Sequence, residues 1–189
     1  KSMETHLQKT AEAGLPFWIV PQMFNFRRYF PATAQAETFR FPSANEFRSM
    51  ILLAAGYEPR GYVFYTYTPL CKPDPKLDGN TEENLKTIRH GIGMLRKLEP
   101  FLLSGKQAKK LPVKTIKGDI RAWEFSDGNG SRRVAVVALG PGTAEAEITV
   151  GAPEQLQSVY GKTVLKNGKW LFRAENIDSD LLSYDKEMK

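Results

Sequence analysis

Two segments of this chain are apolar on both faces, and they constrain its fold more than any other feature. Residues 17–24 and 61–67 each form a short, almost uninterrupted apolar run, and a helical pattern precedes each run. Such runs are typical of parallel strands that are covered on both sides. Two parallel strands alone do not form a stable sheet. The sequence therefore predicts the end of a larger, repeating β/α fold, and we expect that residues outside this chain share in its chemistry.

Capping signals indicate where the helices beside these strands begin and end. Ser43 and Glu46 form a capping box, since each side chain can satisfy a free backbone amide at the start of a helix. Gly56 is expected to end this helix. Asn80 opens a longer helical pattern that stops just before Gly105. The first 106 residues are thus predicted to alternate helices with strands.

The apolar period falls from about 3.6 to 2 after Gly105, which indicates a change from helices to strands. Asn167-Gly168 favours a tight hairpin, because both residues readily adopt positive φ. The fold class predicted is α/β plus all-β, with a first domain over residues 1–106 and an antiparallel β-sandwich over residues 107–189. The predicted strands of the sandwich are 113–116, 120–125, 134–139, 144–150, 157–165, 170–174 and 181–185.

Composition excludes several classes of protein. Hydrophobic residues make up 41% of the chain and charged residues 25%, as in ordinary globular proteins. No apolar run approaches the roughly 20 residues of a membrane span, so we expect no membrane insertion. The net charge of +6 is dispersed, with 14 basic and 10 acidic residues in 1–106 and 13 and 11 in 107–189, which argues against nucleic-acid binding. Cys71 is the single cysteine, so no intrachain disulfide can form.

Four segments carry a resemblance to a known class of protein. They are Pro-Phe-Trp-Ile-Val-Pro-Gln-Met-Phe at 16–24, Pro-Ser-Ala-Asn-Glu-Phe-Arg-Ser-Met at 42–50, Gly-Tyr-Val-Phe-Tyr-Thr-Tyr at 61–67 and Leu-Arg-Lys-Leu-Glu-Pro-Phe-Leu-Leu at 95–103. In this order they resemble the C-terminal end of glycoside-hydrolase-like proteins, which join a (β/α)8 (TIM) barrel to a β-sandwich. The resemblance implies terminal β/α units of a barrel, with strand seven at 17–24 and strand eight at 61–67. It also implies carbohydrate as the partner, a secreted or periplasmic bacterial protein, and no metal or other cofactor.

The chain departs from the catalytic pattern of that class. Gln22 stands where many retaining enzymes carry a glutamate at the end of strand seven, and strand four is absent. Cleavage of a glycosidic bond normally needs two carboxyl groups facing one bond. Glu37 and Asp74 are loop carboxylates, and nothing in the sequence pairs them. The catalytic residues stay unknown, enzymatic activity of the parent stays uncertain, and we expect this chain alone to be inactive.

Binding residues are expected where the strands end, because the C-terminal ends of barrel strands form the active face. Gln22 can exchange hydrogen bonds with a sugar hydroxyl, and it is difficult to explain as core filler because a buried amide needs partners. The aromatic candidates could instead fill the core of a buried strand. The candidate substrate-binding residues are Gln22, Phe24, Asn25, Arg27, Tyr65 and Tyr67.

Other readings of the sequence lead to a binding or structural module without turnover. Trp123 and Trp170 lie on sandwich strands, where they either form a carbohydrate platform or, more often, pack between the sheets. Asp178, Asp180 and Asp185 are too loosely spaced to predict a calcium loop.

The strands at 17–24 and 61–67 would have unpaired edges, which recruit other chains. We therefore expect self-association by strand pairing or helix packing.

Overall fold

The structure is a computed structural model that describes residues 2–30, 32–33, 38–64 and 80–184. Among these residues, the first half of the chain contains three helices, a short 3-10 helix and two short strands. These elements are α1 (Ser2–Glu12), β1 (Trp18–Ile19), the 3-10 helix Phe26–Arg28, α2 (Ala44–Ala55), β2 (Gly61–Tyr62) and α3 (Thr81–Leu102). No helix in these ranges is long and apolar enough to cross a membrane.

The two strands of the first half pair in parallel, as the apolar runs predict. Trp18 lies opposite Gly61, and Ile19 lies opposite Tyr62. Among the described residues the ladder has two residues in each strand, so the predicted strand 17–24 was too long. Residues 65–67 of the predicted strand 61–67 lie outside the described residues. Each strand pairs with a single neighbour, and nothing extends the ladder further within the described ranges. A closed barrel is not present in the part of the chain that is described, and the origin of this pair in a barrel stays a prediction.

The second half consists of short antiparallel strands, which confirms the change of period after Gly105. They form a four-stranded sheet in the order β4-β7-β10-β9 and a five-stranded sheet in the order β3-β5-β6-β11-β8. The strands are β3 (Lys109–Lys110), β4 (Val113–Lys117), β5 (Ile120–Ser126), β6 (Arg132–Ala138), β7 (Thr143–Ile148), β8 (Gln157–Ser158), β9 (Thr163–Lys166), β10 (Lys169–Glu175) and β11 (Asp178–Ser183), and Pro153–Gln155 is a 3-10 helix.

The local signals read from the sequence are also confirmed. The Ser43 hydroxyl accepts a hydrogen bond from the Glu46 N–H, and the Glu46 carboxylate accepts one from the Ser43 N–H. The Asn80 side chain caps α3 by accepting from the amides of its first turn. Asn167 and Gly168 have φ values of 51° and 72° and join β9 to β10 in a tight hairpin. Short-range chemistry therefore determines these turns and caps.

The five-stranded sheet is buried on both faces, which makes it the centre of the molecule. Val134 and Val136 of β6 face the four-stranded sheet and pack in one cluster with Phe172. Ala135 and Val137 face the other way and join the cluster that contains helices α2 and α3. The predicted boundary at residue 106 falls between α3 and β3, yet this second cluster holds residues from both sides of it. Division into two domains stays a prediction.

Helix α2 lies between the parallel pair and the five-stranded sheet. On one side, the Phe47 ring lies 5.8 Å from that of Phe64, and the Tyr62 hydroxyl donates to the carbonyl of Ile51 at 3.1 Å. On the other side, the Ser49 hydroxyl lies 3.0 Å from that of Ser179 on β11. The helix therefore determines how the parallel pair is placed on the sandwich.

Trp123 and Trp170 are both buried, so the prediction that they are core residues is confirmed. Trp123 belongs to the cluster beneath the helices, and Trp170 belongs to the cluster between the two sheets. The outward face of the four-stranded sheet instead carries charges, among them Glu147, which lies 3.3 Å from both Lys114 and Lys169. A charged face without these tryptophans offers no aromatic platform of the kind considered above.

Two glycines of α3 should respond oppositely to alanine. A Cβ at Gly91 would lie 2.3 Å from the Phe47 ring, which is buried, whereas a Cβ at Gly93 meets nothing within 4 Å. Gly93→Ala should stabilise by about 0.5–1 kcal/mol through helix propensity. Gly91→Ala should instead destabilise by roughly 1–3 kcal/mol, because overpacking exceeds that gain. Urea unfolding of both variants measures the difference, and equal shifts of the two midpoints would disprove the close approach of α2 and α3.

Candidate functional site

The exposed face of the parallel pair is defined by alternation along residues 17–23. Trp18 is 63% exposed and Val20 is 56% exposed, whereas Pro21 and Met23 are buried. Gln22 lies two residues beyond Val20 and is half-buried. Because side chains alternate along a strand, we expect Gln22 on the same face as these two residues. A position of Gln22 on the face of Trp18 and Val20 stays a prediction.

The Gln22 amide is held in place by one local hydrogen bond. Its Nε2 donates to the carbonyl of Phe24 at 2.8 Å. The second N–H of this amide and its Oε1 make no hydrogen bond within the described ranges. A primary amide offers two donors and one acceptor oxygen. Among the described residues, one donor and the acceptor of this amide are therefore candidates for hydrogen bonds to a ligand at the end of β1.

An aromatic cluster lies directly beyond Gln22. The ring of Phe24 is 4.7 Å from that of Phe26 and 5.2 Å from that of Tyr29, both edge-on. Phe26 also lies 5.9 Å from Phe39, which joins the two ends of the connection between β1 and α2. Tyr29 and Phe30 are exposed. Of this group, only Phe24 was predicted from the sequence to bind substrate. The density of aromatic residues in the connection could have indicated the others.

Asn25 and Arg27 occupy a local turn beside this cluster. Asn25 is buried, and its Oδ1 accepts a hydrogen bond from the backbone N–H of Arg27 at 2.9 Å, which caps the 3-10 helix. This bond commits the Asn25 oxygen to the backbone. Contact of Asn25 and Arg27 with a substrate stays a prediction. Tyr65 and Tyr67, the other two candidates, lie outside the described residues, as do Cys71, Glu37 and Asp74.

Trp18 lies across the neighbouring strand. A Cβ built on Gly61 would be 2.3 Å from Cζ3 of the indole and 2.5 Å from Cε3. The six-membered ring therefore covers the backbone of Gly61, where a larger residue would collide with it. The absence of a side chain at position 61 is what allows the ring to take this position on an otherwise open face.

The acidic residues near the end of the chain serve internal contacts. Asp178 is buried and lies 2.5 Å from Arg48 Nη2 and 2.8 Å from Lys162 Nζ. Asp180 is buried and accepts hydrogen bonds from the amides of Tyr160 and Lys162, both at 2.9 Å. Asp185 lies outside the described residues. Among the residues that are described, no group of His, Cys, Asp or Glu is arranged to hold a metal ion.

A cavity of about 790 Å³ opens at the opposite ends of the two strands. Its lining includes Leu15 and Phe17 before β1, Arg60 before β2, and Arg96 and Leu102 of α3. The lining also includes Gly61 and Tyr62 of β2, but Gln22 is not part of it. The cavity extends beyond the N-terminal ends of the strands, whereas ligands of parallel β/α folds bind at the C-terminal ends. Its size alone does not outweigh the position of Gln22.

Comparison with known proteins identifies no family for this chain. No family model and no curated protein matches it. Among solved structures it is similar to a variant of AmyP crystallised in complex with maltotriose, with 10% sequence identity and a TM-score of 0.47. The superposition covers 82% of this chain and 36% of that one, so this chain spans about a third of the length of AmyP. A score of this size does not establish a shared fold.

Proposed function

We propose that this chain binds carbohydrate at the C-terminal end of β1. The observation that supports the proposal best is the position of Gln22: a half-buried amide that makes one hydrogen bond among the described residues, to the carbonyl of Phe24, whose ring packs against the exposed Tyr29. Sugars combine hydroxyl groups with apolar ring faces, and sites that bind them combine fixed polar groups with aromatic surfaces. Gln22 would exchange hydrogen bonds with a hydroxyl, and Tyr29 or Phe30 would contact the apolar face of the ring.

Binding without cleavage is the form of this function that we propose for the chain itself. Glu46 lies in the first turn of α2, where the connection with the aromatic cluster ends. Its carboxylate accepts two hydrogen bonds of 2.6 Å from Arg40. These bonds lower the pKa of Glu46, so at neutral pH it is ionised and is not a proton donor. Hydrolysis would need a protonated carboxyl and a second, ionised one. In a longer glycoside-hydrolase-like protein, secreted or periplasmic, Gln22 would contact the substrate while other residues supply the acids.

Gln22→Leu tests the proposal, because leucine keeps the volume and removes the polar groups. Affinity for an oligosaccharide should fall by roughly 1–3 kcal/mol, the cost of leaving a ligand's polar group unpaired. Calorimetry with maltotriose, cellotriose and xylotriose measures it in wild type and variant. The same samples should not hydrolyse aryl glycosides above background.

Gln8→Leu is the matched control, since Gln8 is exposed on α1 and its amide donates to Glu12 of the same helix. Its affinity should equal that of the wild type. Equal affinity in Gln22→Leu would show that Gln22 serves only the Phe24 carbonyl. A wild-type chain that binds none of the three sugars would contradict the proposal as a whole.

A further inference from the structure

We propose that β1 pairs with β1 of a second copy of this chain, so that the two-stranded sheet becomes four-stranded across a two-fold axis. This interaction is independent of carbohydrate binding, and it assigns a partner to the open side of the parallel pair. It rests on three observations: the hydrogen-bonding edge of β1, the apolar face beside that edge, and the self-complementary order of the side chains.

The edge of β1 that faces away from β2 presents the backbone groups of Trp18 and Val20. The carbonyls of Phe17 and Ile19 accept from the N–H groups of Arg60 and Val63, both at 2.8 Å. Because successive residues of a strand turn their polar groups to opposite edges, the N–H and C=O of Trp18 and Val20 face outward. No hydrogen bond to these groups is made within the described ranges. Such a row of groups is a template for another strand.

The face beside this edge is apolar and uncovered. Trp18 and Val20 are joined there by Val63, which is 48% exposed. No residue from 17 to 22 or from 61 to 64 carries a charge. The opposite face packs on the helices, with Ile19 and Tyr62 in the cluster formed by α2 and α3. Parallel sheets are normally covered on both faces, and the face formed by Trp18, Val20 and Val63 lacks such a layer among the described residues.

A second copy completes the open edge through one operation and continues the apolar face that Trp18 and Val20 form. If a two-fold axis passes beside Ile19, Trp18 of each copy lies opposite Val20 of the other. The outward groups of these residues then exchange hydrogen bonds in an antiparallel ladder. Aromatic and β-branched side chains opposite each other are a favourable cross-strand pair. An isologous contact of this kind closes as a dimer. A sugar would cover the ring but could not complete the backbone ladder.

The contact should be weak and reversible. At about 200 Å² for a whole aromatic side chain, the exposed part of Trp18 contributes on the order of 100 Å², whereas standard interfaces bury about 800 Å² per partner. The net charge of +6 opposes association at low salt. Salt screens that repulsion and strengthens apolar burial, so dimerisation should increase with ionic strength.

Sedimentation velocity from about 1 µM to about 300 µM, the range expected for a weak interface, tests the association. We expect a reversible change from monomer to dimer that moves to lower concentration in 0.5 M sodium chloride. Val20→Lys should weaken dimerisation at least about tenfold, because a lysine at a strand edge discourages pairing. Val164→Lys is the matched control: Val164 is 64% exposed on β9, one of the two edge strands of the four-stranded sheet, and this variant should dimerise like the wild type.

Tryptophan emission reports the same contact without a substitution. The chain has three tryptophans, and Trp123 and Trp170 are buried, so a shift of the emission arises from Trp18. We expect a blue shift with concentration that follows the dimer fraction, and its loss in Trp18→Phe. A monomer at every concentration would overturn the proposal. So would a dimer whose emission does not shift, or one that Val164→Lys disrupts and Val20→Lys does not.

Discussion

Replacing Arg48 by methionine should lower the free energy of unfolding by about 3–5 kcal/mol, the usual cost of removing one partner from a buried ion pair. Arg48 is buried on α2, and its Nη2 lies 2.5 Å from Asp178 Oδ1. Its guanidinium also donates to the side chain and the carbonyl of Ser179, at 3.2 Å and 3.1 Å. The same group lies 4.0 Å from the centre of the Tyr160 ring. Methionine keeps part of the apolar stem and loses every one of these contacts.

The loss is large because Asp178 stays buried after the change. Lys162 Nζ, at 2.8 Å, would be left as its remaining cation. Urea unfolding monitored by circular dichroism measures the effect. Arg40→Met is the matched control: Arg40 makes a bidentate pair with Glu46 at 2.6 Å but is exposed, so its removal should cost less than about 1 kcal/mol. Comparable losses in the two variants would mean that burial does not increase the contribution of the Arg48–Asp178 pair to the free energy of unfolding.

A double variant separates the pair from its surroundings. Asp178→Asn in the Arg48→Met background removes the stranded charge, so it should recover part of the lost stability. If Asp178→Asn costs the same in both backgrounds, Arg48 and Asp178 do not interact energetically. The prediction concerns the contact between α2 and β11, and thus the placement of the parallel pair on the sandwich.

Replacing Asp180 by asparagine should cost about 2–4 kcal/mol, because buried donors lose a charged acceptor. The carboxylate is fully buried and accepts from the amides of Tyr160, Lys162 and Leu181 at 2.9, 2.9 and 2.8 Å. It also accepts from the hydroxyls of Ser158, at 2.6 Å, and Thr163. The hydroxyls can rotate to accept from the new NH₂ group. The Lys162 N–H cannot, so it would be left without an acceptor.

Local measurements distinguish this effect from general destabilisation. Hydrogen exchange at the amides of Tyr160 and Lys162 should accelerate more than exchange in β6, because Asp180 closes the turn between β8 and β9. Asp127→Asn is the control, since Asp127 also accepts from two amides, those of Asn129 and Ser131, but in a turn at the surface. Its unfolding midpoint should change little. Uniform acceleration across the chain in Asp180→Asn would show that the carboxylate does not act on this turn.

Local features of the fold could be predicted because neighbouring residues cause them. The capping box of Ser43 and Glu46, the Asn80 cap and the Asn167-Gly168 hairpin each depend on side chains within a few residues. The change of period after Gly105 similarly indicated antiparallel strands, since period 2 is the direct consequence of strand geometry.

The buried face of α3 could not be predicted from the sequence in the same way. The spacing of the large apolar residues in this helix predicts a buried face of Leu85, Ile88, Ile92, Leu95, Leu98 and Leu102. The buried residues are instead Ile88, Gly91, Met94, Leu98 and Phe101. The buried stripe is rotated because the glycine admits the ring of Phe47 to the helix surface. A glycine has no apolar side chain, so the hydrophobic pattern does not mark Gly91 as a contact residue. The fit between α2 and α3 determined which face of α3 is buried.

The polar networks depended entirely on the three-dimensional arrangement. Arg48 and Asp178 are 130 residues apart, and Asp180 binds a turn about 20 residues before it. From spacing alone these aspartates were only a loose acidic group. The burial of both faces of the five-stranded sheet, the short ladder of β1 with β2 and the open edge at Trp18 likewise follow from which elements meet. Residue order thus dictated the elements and their caps, because those interactions are short in sequence. Packing between distant segments decided which charges are buried and which strand edge stays open. Desolvation and strand pairing depend on spatial neighbours, and those neighbours cannot be identified from the order of residues alone.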